Sequence, residues 1–369
     1  MIENTPEVIS NVVKVSSLGA LSFVFAFLFT PALTNFLYKH KFWRKETRTK
    51  AIDGGDVTFF QKFHSENEVK VPRMGGLLIW VTTLFLSFLF LLLSFFTENA
   101  TLNKLNFLSR EQTWLPLFTL VSASIVGLTD DLLQVMQKPK NRIFSWIWKI
   151  TYIGGGLSLR YRLLLVTAIG GVGAWWFYFK LGQEMIHLPG VGEVFIGLFY
   201  IPLFIIVMLA VYSGGVIDGI DGLSGGVFAS IFGAYTVIAL AQGQINLAAF
   251  CLVVVGSILA FLWFNIPPAR FYMGETGILG LTTTLTVVAF LTGAVAVLPI
   301  IALLLVVSSA SVIIQLLSKK IRRKKVFLAA PIHHHFEAKG WPKYKITMRF
   351  WIIGVVVAVV GVVIHLLSL

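Results

Sequence analysis

The sequence has few charged residues and almost no cysteine. Only 13% of its 369 residues are charged, whereas 57% are hydrophobic, and the mean hydropathy is +0.83. A soluble domain of this length cannot bury that much apolar surface, so the composition excludes a soluble globular protein. The single cysteine, Cys251, lies inside an apolar run and excludes a disulfide framework within the chain.

Acidic residues are also scarce, with 17 Asp and Glu against 30 Lys and Arg. None lies in the middle of an apolar run, which argues against an ion-coupled transporter, since such proteins place ionisable groups near the bilayer midplane. The net charge of +13 indicates contact with an anionic membrane surface and an anionic substrate. We expect no nucleic-acid partner, because the basic residues flank apolar runs and do not form a groove with interleaved aromatics.

Long uncharged runs predict an all-α integral membrane protein that forms one polytopic domain over residues 1–369. Runs of about 18 residues or more are read as transmembrane helices. This criterion gives ten spans, near residues 15–38, 75–96, 112–129, 161–179, 194–213, 223–242, 246–264, 277–293, 294–317 and 348–368.

The basic residues orient these spans. Twenty-six of the 30 Lys and Arg fall in four of the connections, at 39–73, 138–162, 270 and 319–349. By the positive-inside rule these connections are cytoplasmic and both termini lie outside. The segment 138–159, with tryptophans among cationic residues, also predicts an amphipathic helix at the membrane interface.

Residues 214–226, between two apolar runs, are rich in glycine and contain Asp218 and Asp221. If the segment is helical, the three-residue spacing puts both carboxylates on one face, where they could converge on one cation or a cation-bound diphosphate. The glycines would let a phosphate or sugar approach the backbone. The alternative is a glycine-rich turn with two solvated carboxylates.

Asp130 and Asp131 end the third span, on the predicted cytoplasmic side. Adjacent carboxylates at the end of an apolar helix repel each other, so they need a cation or a proton between them. Their position at a helix C-terminus, against the helix dipole, makes an ordinary acidic helix end a poorer explanation. The pair is therefore a second candidate metal or base site.

Glu275 is the single carboxylate in the connection between spans seven and eight, which two prolines make irregular. It is predicted to lie at the same membrane face as the four aspartates. Arg73, in a Pro-Arg-Met-Gly-Gly turn before span two, could bind a phosphate or lipid headgroups. All these groups meet where a water-soluble substrate would meet a lipid, and phosphoryl transfer needs such carboxylates, a divalent cation and basic groups.

Three consecutive histidines, His333, His334 and His335, follow a basic cluster at 319–325. Imidazole titrates near neutrality, so phosphate binding or proton transfer is a reasonable role. Zinc binding and exposed polar filler are the alternatives.

Four motifs together resemble the polyprenyl-phosphate N-acetylhexosamine-1-phosphate transferases, and above all their phospho-N-acetylmuramoyl-pentapeptide transferase branch. They are the aspartate pair, Asp-Gly-Ile-Asp-Gly-Leu, Phe-Tyr-Met-Gly-Glu-Thr-Gly and Pro-Ile-His-His-His-Phe-Glu. The resemblance implies transfer of phospho-MurNAc-pentapeptide from UDP-MurNAc-pentapeptide to undecaprenyl phosphate, giving lipid I and UMP with Mg²⁺, at the inner membrane of a bacterium. The oligomeric state stays open, with a homodimer among the options.

The same resemblance assigns roles to residues. It implies catalytic groups at Asp130, Asp131 and His333, a magnesium ligand at Glu275, and substrate-binding groups at Asp218, Asp221, Asn265, Arg162, His334, His335 and Arg73.

The sequence departs from the family's pattern at several of these places. Tyr212 and Gly215 replace two asparagines, Gln134 replaces a lysine, Arg162 stands in for another lysine, and Glu275 replaces an aspartate. The Pro-Arg turn at 72–73 and Ile217-Asp218-Gly219 resemble the GlcNAc-1-phosphate transferases of the same superfamily. The alternatives are therefore a UDP-GlcNAc:undecaprenyl-phosphate GlcNAc-1-phosphate transferase, or a non-catalytic lipid-binding protein or transporter.

Overall fold

The fold is a bundle of apolar helices, described here from a computed structural model over residues 5–44, 70–96, 99–109, 112–135 and 156–369. Ten helices within these ranges are long and apolar enough to cross a membrane, which confirms the predicted all-α class and the number of spans. The predicted interfacial segment at 138–159 lies largely outside the described residues.

In chain order the helices are α1 (Thr5–Lys39), α2 (Leu77–Phe96), α3 (Ala100–Leu105), α4 (Trp114–Val135), α5 (Leu159–Trp175), α6 (Tyr200–Ser213), α7 (Leu223–Ala241), α8 (Ile245–Asn265), α9 (Gly274–Leu291), α10 (Leu298–Ile301), α11 (Leu303–Arg322), α12 (Ile332–Ala338) and α13 (Lys343–Leu366). The short α3, α10 and α12 are not spans. The predicted division at Gly293 is confirmed. Gly293 has φ +63° just past the end of α9, which is the left-handed conformation that glycine adopts most easily after a helix.

Helix α9 lies at the centre of the bundle. All its residues are buried except Glu275 and Leu291. Several of its threonines donate their hydroxyls to carbonyls one turn earlier, as Thr282 does to Ile278 and Thr283 to Leu279, both at 2.7 Å. These hydroxyls are satisfied within the helix, whereas the Thr276 hydroxyl donates to the Ser124 carbonyl on α4 at 3.0 Å.

Small residues let α4 approach α9 closely. A Cβ on Gly280 would lie 2.1 Å from the Ser124 hydroxyl, and one on Gly127 would lie 2.1 Å from the backbone oxygen of Glu275. The hydrophobic effect does not drive helices together inside a bilayer, so membrane helices gain contact area by such close backbone approach. Because Gly127 and Asp131 are four residues apart on α4, this contact sets the aspartate pair beside the start of α9.

Two strands form the one sheet in the described part of the chain. Met185–Leu188 and Gly192–Phe195 pair antiparallel, with His187 opposite Glu193. The His187 ring contacts the Ser368 hydroxyl at 3.0 Å, so this hairpin lies at the C-terminal end of α13. We call this end of the bundle the hairpin face and the opposite end, which holds the aspartates, the carboxylate face.

Candidate active site

Asp131 is fully buried and is held by two groups from other parts of the chain. Its Oδ2 accepts a hydrogen bond from the Thr276 backbone N–H at 2.9 Å, and its Oδ1 lies 3.4 Å from Nε of Arg73. The sequence places this carboxylate at the unfavourable end of α4. In the folded chain it faces the N-terminus of α9, where unpaired N–H groups favour an anion.

Asp130 is also fully buried, and both its oxygens have partners. Oδ1 accepts from the Leu157 backbone N–H, and Oδ2 accepts from Nε2 of Gln134 at 2.9 Å. A guanidinium nitrogen of Arg162 lies 3.6 Å from the same Oδ2. The carboxylate is therefore fixed in orientation and faces a cation.

Arg162 connects four parts of the site from the second turn of α5. One guanidinium nitrogen donates to Oε1 of Glu275 at 2.7 Å, and Nε donates to the Leu157 carbonyl at 3.0 Å. The Tyr212 hydroxyl lies within electrostatic range of the guanidinium. The residue predicted to stand in for a lysine thus forms the centre of an ion-pair network with Asp130 and Glu275.

Arg73 is positioned by backbone pairing between its turn and the segment before α9. The Tyr272 N–H donates to the Pro72 carbonyl at 2.8 Å, and the Gly75 N–H donates to the Tyr272 carbonyl at 2.7 Å. The side chain lies between the two acidic groups of the site, with Asp131 in contact and Asp218 within electrostatic range. Arg73 therefore lies where it could bind an anion near either carboxylate.

The loop that carries Asp218 and Asp221 is not helical, so the expectation that they share a helix face is wrong. A 3₁₀ turn ends at Ile217, and α7 begins only after Gly222, whose φ of +76° is a conformation that glycine tolerates. The Asp218 carboxylate accepts from the Ser224 hydroxyl at 2.7 Å, whereas Asp221 Oδ2 accepts from the Ala269 N–H at 3.3 Å.

Burial raises the pKa of the Asp218 carboxyl above its ordinary value, and the Ser224 hydroxyl and the charge of Arg73 oppose that rise. The physical cause is the loss of water around the charged form, which hydrogen bonds and a nearby cation partly replace. Asp218 thus lies in a drier place than a solvated turn residue would.

Asn265 is buried at the end of α8 and ties two loops together. Its side-chain oxygen accepts from the Gly222 N–H at 2.9 Å, and its side-chain nitrogen donates to the Phe271 carbonyl at 2.7 Å. These bonds favour a role in holding the glycine loop against the connection to α9. Its assignment as a substrate ligand stays a prediction.

His333 and His334 lie against the glycine loop. A Cβ added at Gly219 would be 2.5 Å from Nε2 of His333 and 2.7 Å from Nε2 of His334, so both rings reach the backbone beside Asp218. Nδ1 of His334 lies 2.8 Å from Oε2 of the buried Glu337 on the same helix, α12. A carboxylate at Nδ1 fixes the ring's orientation and leaves Nε2 directed at the loop.

His335 is directed away from its two neighbours. Its Nδ1 accepts from the Leu328 backbone N–H at 3.1 Å, and its ring packs edge-on against Phe327. Burial, followed by the charge of Lys339, lowers the pKa of His335 below its ordinary value. This geometry favours a role in holding residues 326–328, and substrate binding by His335 stays a prediction.

The structure brings most of the predicted groups to one site. Asp130, Asp131 and Asp218 each lie within electrostatic range of Glu275. In the described residues, no three His, Cys, Asp or Glu side chains are already arranged to hold a metal ion. The donor set is nevertheless all oxygen, which suits Mg²⁺, because that ion is usually held by one or two carboxylates together with substrate phosphates and water.

Sequence reasoning missed the groups that orient these side chains. The contact between Glu337 and His334 could have been predicted from the sequence, because the two residues are three apart on a helix. Ser224 and the Thr276 N–H carried no signal, since hydroxyls and backbone amides are common beside any turn. Gln134 likewise lies four residues after Asp130 on one helix, so its contact could be read from spacing, whereas the proximity of Tyr212 to Arg162 could not.

Comparisons with known proteins agree with this geometry. Residues 113–294 match Glycosyl transferase family 4, a range that includes all four aspartates and Glu275. The phospho-N-acetylmuramoyl-pentapeptide-transferase of Lactiplantibacillus plantarum is 35% identical over 347 residues, which cover 92% of this chain and 95% of the relative. This chain belongs to the phospho-N-acetylmuramoyl-pentapeptide-transferase family.

Two further relatives carry the same name. The transferase of a Geobacillus species is 33% identical over 94% of this chain and 96% of its own length. That of Chloroflexus aurantiacus is 32% identical over 80% of this chain and 77% of its own. These matches confirm the predicted family and do not favour the GlcNAc-1-phosphate transferase alternative.

Proposed function

We propose that this protein transfers phospho-MurNAc-pentapeptide from UDP-MurNAc-pentapeptide to undecaprenyl phosphate, forming lipid I and UMP. One observation carries the proposal. The buried aspartate pair, Glu275, the glycine loop and two histidines meet at one end of a membrane bundle, where a lipid phosphate and a water-soluble nucleotide can both reach them.

In a direct displacement, an oxygen of undecaprenyl phosphate forms a bond to the sugar-linked phosphorus of the donor. The bond between that phosphorus and the bridging oxygen breaks, and the electron pair leaves with UMP. Net charge is the same before and after, so the transfer requires no net proton. What the site must supply is stabilisation of the negative charge that spreads over the transferring group.

Arg73 and Arg162 are the cationic side chains best placed for that task. Each is partly exposed, at 12% and 22% of its side chain, and each already faces carboxylates that hold it in position. A diphosphate entering the site could take over part of these contacts. Guanidinium groups bind phosphate oxygens with two parallel hydrogen bonds, which also orient the phosphate.

Magnesium would be held by Glu275 with carboxylates of the aspartate pair. When bound there, it supplies positive charge to the phosphate oxygens. Glu275 can take part because it is partly exposed, at 21% of its side chain, unlike the fully buried aspartates. Gly274, with φ +74°, lets the chain turn into α9 directly in front of the Asp131 carboxylate.

The glycine loop and the histidine pair would bind the nucleotide part of the donor or its phosphates. Nε2 of His333 and of His334 both face the loop near Asp218, where imidazole can donate to a phosphate oxygen or hold a proton. The carboxylate of Glu337, 2.8 Å from Nδ1, fixes the orientation of the His334 ring. This half of the site therefore recognises the donor, while the aspartate pair serves the reacting phosphates.

The assay uses purified protein with undecaprenyl phosphate and either UDP-MurNAc-pentapeptide or UDP-GlcNAc, and measures UMP release. We expect UMP from the MurNAc donor, only with lipid acceptor present, and its loss on removal of Mg²⁺. UMP release from UDP-GlcNAc but not from UDP-MurNAc-pentapeptide would replace our proposal with a GlcNAc-1-phosphate transferase. No UMP from either donor would favour a non-catalytic lipid-binding protein or transporter.

The proposal also includes an orientation. We infer that the carboxylate face is cytoplasmic, at the bacterial inner membrane, because basic residues crowd the connections at that end. Single cysteines replacing Lys325 and Met185, in a chain whose buried Cys251 is replaced by Ala, test it. In intact cells an impermeant thiol reagent should label the position at 185 and spare the one at 325; the opposite pattern would invert the topology.

A further inference from the structure

Arg44 is a buried cation just beyond the end of α1. It is 5% exposed, although it belongs to a segment whose sequence is rich in basic residues. Its Nε donates to Oε1 of Gln134 at 3.1 Å, and a terminal guanidinium nitrogen contacts the same oxygen. Two nitrogens of one guanidinium therefore converge on the oxygen end of the Gln134 carboxamide.

The nitrogen end of the same carboxamide faces the aspartate pair. Nε2 of that side chain donates to Oδ2 of Asp130 at 2.9 Å. A carboxamide has an acceptor end and a donor end, so the cation at its oxygen obliges its nitrogen to face the aspartate. With the reverse orientation, an oxygen would face the carboxylate and the NH₂ group would face the guanidinium, and both contacts would be repulsive.

The packing leaves Gln134 little room to move. A Cβ on Gly156 would lie 2.6 Å from Oδ1 of Asp130 and 3.1 Å from Nε2 of Gln134. Gly156 thus packs against the contact between the two side chains. The orientation of the carboxamide is set by Arg44 at its oxygen end and by the packing of Gly156 at its nitrogen end.

We propose that Arg44 is a positioning residue for the transfer reaction. It fixes the orientation of Gln134 and, through Gln134, holds Oδ2 of Asp130 in place beside Arg162. The inference rests on the proposed function and adds to it a group outside the family motifs. It also accounts for a neutral residue at position 134, since the positive charge behind Gln134 comes from the segment after α1 and not from α4.

A charged donor polarises the carboxamide and strengthens its bond to Asp130. Loss of the guanidinium should let Gln134 turn and Asp130 shift, which lowers kcat. The Michaelis constant for the donor should stay within about twofold, because a side chain 5% exposed does not reach a substrate. We expect kcat to fall by about tenfold in Arg44→Gln, since small misplacements of reacting groups have effects of that order.

The test is a four-protein cycle of wild type, Arg44→Gln, Gln134→Lys and the double variant. Gln134→Lys alone puts an ammonium beside Arg44 and should lower kcat. The double variant should recover most of the wild-type kcat, because the new lysine can donate directly to Asp130 and the new glutamine removes the repulsion. Arg44→Lys keeps the charge, so its kcat should lie between those of wild type and Arg44→Gln. It replaces Arg44→Gln in the test if that variant does not fold.

Three outcomes would overturn the inference. One is an unchanged kcat in Arg44→Gln, and another is a double variant whose loss of kcat is the product of the two single losses. The third is a raised donor KM with unchanged kcat in Arg44→Gln, which would make Arg44 a substrate ligand. Thermal unfolding of the same four proteins measures the coupling between Arg44 and Gln134 without any turnover. A wild type that releases no UMP overturns the proposed function, whereas an absent coupling overturns the inference.

Discussion

The two halves of the site satisfy their carboxylates in different ways. In the paired half, each carboxylate faces an arginine; this half consists of Asp130, Asp131, Glu275, Arg73 and Arg162. In the loop half, the carboxylates are held by neutral donors; it consists of Asp218, Asp221, His333 and His334, with Ser224 and the Ala269 N–H as donors. The paired half is thus built to balance charge, and the loop half to shape a surface of backbone and imidazole.

Most of the expected departures from the family's pattern lie in or beside the paired half. Gln134, Arg162 and Glu275 contact Asp130 or one another, and Tyr212 lies within electrostatic range of Arg162. The glycine loop carries Gly215 as a departure of its own. Changes that would each be harmful alone can be retained together when they contact each other, because the coupling between neighbours offsets the individual losses.

Position 215 shows how a departure can be required by packing. A Cβ on Gly215 would lie 2.4 Å from a methyl group of Ile278 on α9. Any side chain there would force the Ile278 side chain or α9 to shift, so an asparagine at this place is incompatible with the present packing. Packing against α9 is therefore sufficient to explain the glycine.

The largest expected effect comes from breaking the paired half at Asp131. Asp131→Asn removes the negative charge that faces Arg73 and the start of α9. We expect UMP release to fall by about a thousandfold or more. Asp221→Asn, the matched change in the loop half, should reduce it by about tenfold, since Asp221 faces a neutral N–H. Equal losses in the two variants would remove the distinction between the halves.

Glu275 is the next test, because it is the longer replacement for the family's aspartate. Glu275→Gln keeps the size, loses the charge and weakens the bond to Arg162, so we expect a loss of about a hundredfold or more, measured at limiting Mg²⁺. Glu275→Asp should keep measurable activity. Glu193→Gln, on the hairpin face, is the matched control and should have no effect. Normal turnover of Glu275→Gln at limiting Mg²⁺ would show that the aspartates hold the metal without it.

Much of this fold was predictable from the sequence, because apolar runs and basic connections report on the bilayer directly. The aspartate pair, Glu275 and two of the three histidines were also correctly grouped at one end of the bundle. The spacing of Asp218 and Asp221 misled, since a three-residue spacing indicates a shared face only if the segment is helical, and the backbone leaves the helical conformation at Asp218, where ψ is 68°. Two partners of Asp130, the Leu157 N–H and Arg162, come from a distant segment, which no local pattern reveals.

The histidines offer a comparison within the loop half. His334 reaches Gly219 and is oriented by Glu337, whereas His335 is directed at the Leu328 N–H. A hydrogen bond to a charged group is worth about 1.5–3 kcal/mol, so His334→Ala should lower kcat/KM by about tenfold to a hundredfold. His335→Ala should cost less than threefold in rate. If His335→Ala were the more harmful variant, with both proteins equally stable to heat, the orientation described here would be wrong.

The smallest expected effect isolates the contact between the histidines and the glycine loop. Gly219→Ala introduces a methyl group 2.5 Å from Nε2 of His333 and 2.7 Å from Nε2 of His334, so both rings must move. Imidazoles at the ends of side chains can yield, and we expect donor KM to rise and kcat/KM to fall by about tenfold at most. Gly233→Ala is the control, because a Cβ there meets no atom within 4 Å and alanine favours the helix. Gly219→Ala leaves the paired half unchanged, so its kcat at saturating donor should change little. A loss confined to kcat would mean that the loop half also takes part in the chemical step.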